Sequence, residues 1–446
     1  MTARLIENLA TTPEYAAIFA DASLLQAMLD FEAALARAES AQSVIPSSAA
    51  DAIGKQARAE NFDAAKLAEE GLRAGTLAIP LVNALTERVR AVDEASARFV
   101  HWGATSQDVS DTAVVLLLRR ARAALRADSA ALLEALRSAS EQHAGAVMLG
   151  RTLLQAAPPV TLGLKIAGWF AALRRSWVHL NAAFSETLVL EFGGASGTLA
   201  ALGEQAIPVA KALAKQLDLT LPDAPWHAHR DRLAAVICAC GIYVGSLAKM
   251  AKDVSLLMQS EIGEAFEPGG DGRGGSSTMP HKQNPTACAL AIAAGDRVPG
   301  YVASFLAAMP QEHERSVGGW HSEAATISRT IQDTGLAVVS MREIAEGLIA
   351  DPKRMRENIS ATRGAIFAER AMMRLGASMG RDAARRLLAD AVREMTQSRW
   401  TLAEVLASMP QVTAVMSSAE IRNLDDPETY LGAAETFRKQ LLASSD

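Results

Sequence analysis

Apolar residues recur every three to four positions over unusually long stretches of this chain. One such stretch runs from Val160 to Phe184 and a second from Arg232 to Glu264, and neither contains an internal proline. Spacing of this kind places the apolar side chains on one face of a helix, which must be covered by other helices. The pattern therefore predicts long helices packed side by side.

Three further stretches, over residues 112–140, 286–309 and 322–348, have the same period. Half of the chain is apolar but only 5% is aromatic, so Ala, Leu, Val, Ile and Met supply the core. This composition favours close-packed helices over sheets, and no stretch alternates with a period of two. We therefore predict an all-α fold with a long central helical bundle.

A chain of 446 residues is long for a single core. Shorter helical patterns flank the long ones on both sides. We therefore predict three helical domains, over residues 1–111, 112–350 and 351–446, with the long bundle in the middle.

The net charge of −6 and the absence of Lys/Arg runs argue against a nucleic-acid partner. The N-terminus lacks a signal-like apolar segment, and we find no apolar run that predicts a membrane span. Three cysteines cannot all pair with one another, which favours a reducing compartment. The prediction is a soluble, cytoplasmic protein.

A glycine-rich segment, residues 268–275, precedes a run of polar side chains between two prolines. Glycines leave the backbone free to move, while Pro280 and Pro285 stiffen the part that carries the polar groups. This favours a mobile lid that carries chemistry over a plain linker. The phosphate-binding pattern Gly-x-x-x-x-Gly-Lys-Ser/Thr is absent. The candidate residues of the lid are Ser276, Ser277, His281, Lys282 and Asn284.

A second polar cluster, residues 101–112, stands immediately before the first long helical pattern. Its last residues, Ser110 to Thr112, could simply cap that helix. His101, Thr105 and Ser106 lie upstream on a glycine-containing turn, where hydroxyls and backbone N–H groups suit a carboxylate. We call residues 101–112 the first cluster and assign these three residues to substrate binding.

Two more polar segments interrupt the helical patterns. Residues 150–155, the second cluster, contribute Arg151 and Gln155 as candidate ligands of the substrate. Residues 309–321 form either a solvated turn or a pocket wall, with Arg315 as the candidate. The close pair His227 and His229 lacks any accompanying metal-ligand pattern, so no metal ion is predicted.

These segments resemble the signature regions of the fumarase/aspartase superfamily, whose members make or break a C–N or C–O bond beta to a carboxylate. The resemblance implies the three-domain fold, no cofactor, a small polycarboxylate substrate and a homotetramer with composite active sites. By position it makes Ser276 the group that exchanges a proton with carbon, with Ser277 and His281 next in line. The carboxymuconate cycloisomerase branch matches most closely, with a beta-eliminating, adenylosuccinate lyase-like enzyme or a non-catalytic helical protein as alternatives.

One position departs from the pattern of the superfamily. In many relatives a histidine follows Gly-Arg-Thr and assists the departing amine, but Leu153 stands there in this chain. A leucine cannot transfer protons. A carboxylate leaving group has a pKa of about 4 and needs no acid, so the departure favours lactone chemistry over amine elimination.

The helix predicted between the first and second clusters has roughly thirty residues, or about 45 Å at 1.5 Å per residue. Within one chain, its two ends are therefore far apart. The two clusters can share a site only if another subunit contributes one of them. The alternative is that a single cluster is functional and the chain acts alone.

Overall fold

The computed structural model describes residues 5–270, 273–275, 278–279 and 282–443. Helices take up 71% of the chain and strands 4%, so the predicted all-α class is confirmed. The first part of the chain folds into helices of moderate length: α1 (Pro13–Ile18), α2 (Asp21–Ala41), α3 (Ser47–Gln56), α4 (Ala64–Ala74), α5 (Ala78–Val92) and α6 (Glu94–Ala97).

Helix α2 illustrates how the sequence pattern becomes core. Leu25, Met28, Phe31 and Leu35 recur at helical spacing, and all four are buried. The same helix also buries Glu32 and Glu39, although charged residues usually lie at the surface.

Long helices follow, as the spacing predicts. They and the shorter elements between them are α7 (Ser106–Gln142), β1 (Val147–Thr152), β2 (Gln155–Thr161), α8 (Leu162–Thr187), α9 (Ala206–Leu217), α10 (Asp231–Leu257), β3 (Ala265–Phe266), α11 (Thr286–Ala308), α12 (Gly319–Gly347) and β4 (Ile349–Ala350). Each predicted long helix is present, with its ends shifted by a few residues.

The start of α7 corrects one interpretation. The helix begins at Ser106, so Ser110 to Thr112 lie inside it and do not cap it. The cap is formed upstream, where the backbone N–H of Thr105 donates to Oδ2 of Asp108 at 2.9 Å. This is half of a capping box, in which an acidic residue at the third helical position binds the N-cap backbone.

Two strands that the sequence analysis did not predict form a hairpin within residues 147–161. β1 pairs with β2 in antiparallel register, with Thr152 opposite Gln155. The turn residues Leu153 and Leu154 both have positive φ, 51° and 65°. A two-residue turn of this hand fits the twist of the strands but normally takes Asn or Gly.

The C-terminal part returns to shorter helices: α13 (Pro352–Ala361), α14 (Ala368–Met379), α15 (Arg381–Gln397), α16 (Leu402–Ser408), α17 (Pro410–Thr413), α18 (Ser418–Arg422) and α19 (Ala434–Ala443). Several of them surround a core of their own, in which Leu375, Leu388, Val405 and Leu406 are buried. This agrees with the prediction of shorter helices after residue 350.

The described residues group into two compact units. Unit 1 comprises residues 1–130, 175–248 and 290–340, and unit 2 comprises residues 131–174, 249–289 and 341–446. The boundaries fall within α7, α8, α10, α11 and α12, because each long helix contributes to both units. The division into three consecutive domains stays a prediction.

Within the described part of the chain, α10 is long and apolar enough to cross a bilayer by length and composition. This corrects the expectation that no such run exists. In its most apolar window 61% is buried inside the protein. Core helices of soluble proteins pass the same test, so the feature is weak support for a membrane span.

Candidate active site

Asp108, in the first turn of α7, binds backbone N–H groups of Thr105 and residues 193–194 and the side chain of His227. Its Oδ1 accepts the N–H of Gly193 at 3.0 Å, and its Oδ2 accepts the N–H groups of Gly194 and Thr105 at 3.0 and 2.9 Å. The ring Nε2 of His227 lies 2.6 Å from Oδ1. The carboxylate is fully buried, so these contacts fix the turn before α7.

Arg315 is held on the segments that Asp108 fixes. Its guanidinium donates to the Thr105 hydroxyl at 2.8 Å and to the carbonyls of Gly194 and Ala195 at 3.3 and 3.0 Å. These acceptors are neutral, and no carboxylate of the described residues forms an ion pair with Arg315. A cation held by neutral groups keeps its charge available for an anionic ligand.

His101 is the first residue of the first cluster and has a left-handed backbone conformation with φ of 60°. Its Nδ1 is 2.6 Å from Oε1 of Glu32, a residue of α2 with 1% of its surface exposed. Burial opposes the charged ring, but the charge and hydrogen bond of Glu32, with the nearby Asp108, outweigh it and raise the pKa of His101.

A second buried acid, Glu191, lies beside Asp108 and His227. Its Oε2 accepts the N–H of Trp226 at 2.7 Å, and its Oε1 lies 3.3 Å from Nε2 of His227. Burial, with the charges of Asp111 and Asp108, raises the pKa of Glu191 to about 9. At neutral pH this carboxyl group therefore carries a proton.

Asp108, Glu191 and His227 form a group whose ligand atoms lie within 4.8 Å of one another, a spacing that a metal ion could use. Both oxygens of Asp108 are already occupied by N–H donors. The group is thus accounted for by hydrogen bonds that join the start of α7 to residues 191–194 and 226–227.

Arg230 organises a neighbouring network. It is almost fully buried and donates to both oxygens of Asp111 at 2.7 and 3.0 Å and to Glu323. The indole of Trp320 also donates to Asp111, at 2.9 Å. This network borders a cavity of about 210 Å³ whose remaining walls are mostly apolar, including Met28. Because two carboxylates face Arg230, the cavity is poorly suited to a phosphate.

The second cluster has a different electrostatic character. Arg151, in β1, donates to both oxygens of Glu264 at 2.8 Å, and Glu264 is fully buried. Asn358 donates to the same carboxylate at 2.8 Å. The charge of Arg151 is therefore balanced inside unit 2, and its part in substrate binding stays a prediction. Gln155 is exposed.

The tip of the β1–β2 hairpin is apolar and open to solvent. Leu153 is 97% exposed and Leu154 is 76% exposed. Leucine rarely adopts positive φ, because its Cβ then approaches the following carbonyl. Two such leucines in a row are costly in an isolated chain.

The predicted proton-transfer residues Ser276, Ser277 and His281 lie outside the described residues. Of their neighbours, Lys282 is exposed and Asn284 is half-buried, with its N–H donating to the carbonyl of Gly274 at 2.8 Å. Arg273 pairs with Glu343. Its charge is therefore balanced by that carboxylate.

Comparisons with known proteins assign the family. A lyase family model matches residues 7–300, and a model of the adenylosuccinate lyase C-terminus matches residues 364–441. The chain belongs to the fumarase/aspartase superfamily.

The chain is similar to proteins named 3-carboxy-cis,cis-muconate cycloisomerase. It is 49% identical to that of Pseudomonas aeruginosa, over 96% of this chain and 93% of the relative. It is 47% identical to that of Bradyrhizobium diazoefficiens, over 95% and 94%. The solved structure of the 3-carboxy-cis,cis-muconate lactonizing enzyme from Pseudomonas putida matches with a TM-score of 0.94 and 45% identity, over 99% and 98%.

In unit 1 the structure brings Thr105 and Arg315 into contact, two predicted substrate-binding residues separated by 210 positions. Ser106 opens α7 beside them. Glu32 and Asp108 were not predicted from the sequence. The first could have been suspected from a charge within an apolar run of α2, and the second from the Thr-x-x-Asp capping pattern.

Proposed function

We propose that this chain is a cofactor-independent cycloisomerase that closes 3-carboxy-cis,cis-muconate to 4-carboxymuconolactone. The observation that carries the proposal is the similarity of nearly the whole chain to proteins of that name, at 46–49% identity in three bacteria. The reaction belongs to the degradation of aromatic compounds through protocatechuate.

The chemistry of the reaction fits the residues at the second cluster. Run backwards, ring closure is a beta-elimination in which a carbon-bound proton leaves and the lactone oxygen departs as a carboxylate. Such a leaving group has a pKa of about 4 and departs without a proton donor. Leu153 cannot supply one, and amine elimination would need it.

The electrostatics of the first cluster also support an anionic substrate. The substrate carries three carboxylates, and Arg315 presents a charge that no described carboxylate balances. Thr105, Ser106 and the N-terminus of α7 add hydroxyl and N–H donors. Lys282 and Asn284 on the lid are proposed as further ligands.

The alternative is an adenylosuccinate lyase-like enzyme, which the match of residues 364–441 to that C-terminal model favours. A nucleotide substrate requires a site for its phosphate. The cavity beside Asp111 does not offer one, because Arg230 faces two carboxylates. A purely structural role is less consistent with the uncompensated Arg315.

The deciding experiment is a direct assay of the purified protein. Loss of the muconate absorbance, with formation of the lactone, is expected. Adenylosuccinate and argininosuccinate are expected to remain intact under the same conditions. Release of fumarate from either amine-type substrate, without lactonisation, would overturn the assignment.

For the proton transfer we propose Ser276, by its position in the superfamily motif. A serine is a weak base, so neighbouring N–H dipoles and Lys282 would have to stabilise its alkoxide. Ser276→Ala is expected to remove nearly all turnover while the thermal midpoint stays unchanged. Activity close to that of the native protein would move the role to Ser277 or His281.

The active species is proposed to be a homotetramer with composite sites. α7 has 37 residues, which corresponds to about 55 Å at 1.5 Å per residue. A second chain that contributes its second cluster to the first cluster of its neighbour is the simplest way to form a shared site. Light scattering should give four chains of 47.1 kDa, and a fully active monomer would rule the arrangement out.

We place the enzyme in the cytoplasm. The free cysteines, which are buried or partly buried, agree with a reducing compartment. Fractionation of cells of the source organism should recover the protein with soluble cytosolic markers, and recovery with the membrane fraction would contradict this.

A further inference from the structure

A residue of the first cluster contacts a buried carboxylate to which no role in the reaction has yet been assigned. Glu32 lies on α2, 69 positions before His101, and only 1% of its surface is exposed. Buried acids are retained where they are paired, because an unpaired charge in the interior is costly. The partner of Glu32 is the ring of His101, at 2.6 Å.

The geometry leaves one side of the His101 ring available. Among the described residues, Glu32 is the hydrogen-bonding partner of the ring, and it uses Nδ1. The side chain of His101 remains 17% exposed, so the ring is not sealed in the core. Its Nε2 can therefore donate to a ligand while Nδ1 donates to Glu32.

We propose that Glu32 is a positioning residue that keeps His101 as an imidazolium, and that this imidazolium binds a carboxylate of the substrate together with Arg315. The inference rests on the proposed function for the identity of the substrate. The position of His101, before the turn that carries Thr105, supports it. Its φ of 60°, a strained value for a non-glycine residue, agrees with a functional constraint.

The charged groups that face His101 favour its protonated ring. Glu32 comes from α2 and Asp108 from α7, and both favour the protonated ring. Burial favours the neutral ring but is outweighed, so the pKa of His101 lies above its ordinary value near 6.5. The ring therefore keeps its proton to a higher pH than a free imidazole does.

The substitution Glu32→Gln tests the proposal. It keeps the shape and a hydrogen-bond acceptor for Nδ1 but removes the charge. The neutral ring is then favoured by burial, and the pKa of His101 should fall below about 6.5. Glu39→Gln is the matched control. Glu39 is a second fully buried acid of α2, and neither of its oxygens has a partner among the described residues.

The first readout does not depend on activity. Deuterium exchange at the imidazole C2 position, followed by mass spectrometry of the peptide that carries His101, reports the protonation of this ring. The exchange midpoint should lie above about 6.5 in the native protein and in Glu39→Gln, and below it in Glu32→Gln. An unchanged midpoint in Glu32→Gln would refute the role of Glu32.

The second readout is the pH profile of kcat/KM for 3-carboxy-cis,cis-muconate. At pH near 8, Glu32→Gln should lose about 10- to 100-fold, the cost of a charge-assisted hydrogen bond. At a pH below the exchange midpoint of this variant, where its ring is protonated again, it should return to within about twofold of the native protein. His101→Gln should not recover at acid pH.

The two readouts separate the possible failures. A lowered exchange midpoint with an unchanged pH profile would show that the substrate does not use the imidazolium, and would refute that half of the proposal. Absence of lactonisation in the native protein would refute the proposed function instead. The exchange data would in that case still decide whether Glu32 holds the proton on His101.

Discussion

Arg315 contacts the first cluster and Arg151 belongs to the second, and the sequence predicted both as substrate ligands, but the two arginines are in opposite electrostatic situations. Arg315 donates to a hydroxyl and two carbonyls, and no carboxylate in the described part of the chain balances its positive charge. Arg151 is paired through both of its terminal nitrogens with the buried Glu264. Arg315 is suited to binding an anion, whereas Arg151 holds β1 to the segment that carries Glu264.

The largest expected effect concerns stability at the second cluster. Arg151→Met leaves the buried carboxylate of Glu264 with Asn358 as its remaining hydrogen-bonding side chain among the described residues, and should lower the free energy of unfolding by about 3–5 kcal/mol. Denaturant unfolding would measure this. The double variant with Glu264→Gln should recover much of the loss, and failure to recover would mean that the ion pair is not the cause.

The corresponding change at the first cluster should affect activity instead. Arg315→Met removes a cation that no described carboxylate requires, so we expect the unfolding midpoint to change little. kcat/KM for the muconate should fall by about 100-fold, from the loss of a charge-assisted contact of roughly 2–3 kcal/mol. If Arg315→Met destabilised the protein as much as Arg151→Met, the contrast between the two arginines would be wrong.

The surroundings of the first and second clusters also differ in their buried glutamates. The folded-state pKa of Glu191 is raised to about 9 from an ordinary value near 4.5, so its contribution to stability is lost as pH rises through that window. Glu191→Gln cannot titrate, so its stability relative to the native protein should increase between about pH 5 and 9.

Glu264→Gln provides the contrasting measurement, because it breaks a bidentate ion pair with Arg151 and should destabilise the protein at neutral pH by about 3 kcal/mol. Thermal unfolding of both variants at a series of pH values would compare the two sites. A parallel pH dependence for Glu191→Gln and the native protein would show that Glu191 carries no proton.

The smallest effect is expected at the hairpin tip. If a carboxylate leaving group needs no acid, Leu153→His should not raise the rate of lactonisation, and the matched variant Leu154→His should behave the same. Initial rates under saturating substrate would show it. A clear gain in Leu153→His alone would mean that the lactone oxygen does require a proton.

The long helices were predictable because their information is local. A period near 3.6 over more than twenty residues leaves few alternatives, and α8 and α10 lie where the spacing places them. The β1–β2 hairpin was missed for the same reason. Its turn, Leu153-Leu154, lacks the Asn-Gly type of signal, so the sequence contains no local sign of the reversal.

For the site, the sequence determined which side chains can bind a substrate or transfer a proton. Only the tertiary structure decided whether a neighbouring group balances each charge. Thr105 and Arg315 could be named from polar breaks in the helical pattern and from the superfamily motifs. Their contact, like the pairing of Arg151 with Glu264 and of His101 with Glu32, joins residues 69 to 210 positions apart. The charge state of a group depends on its neighbours in space and on burial, and neither is encoded within a local stretch of sequence.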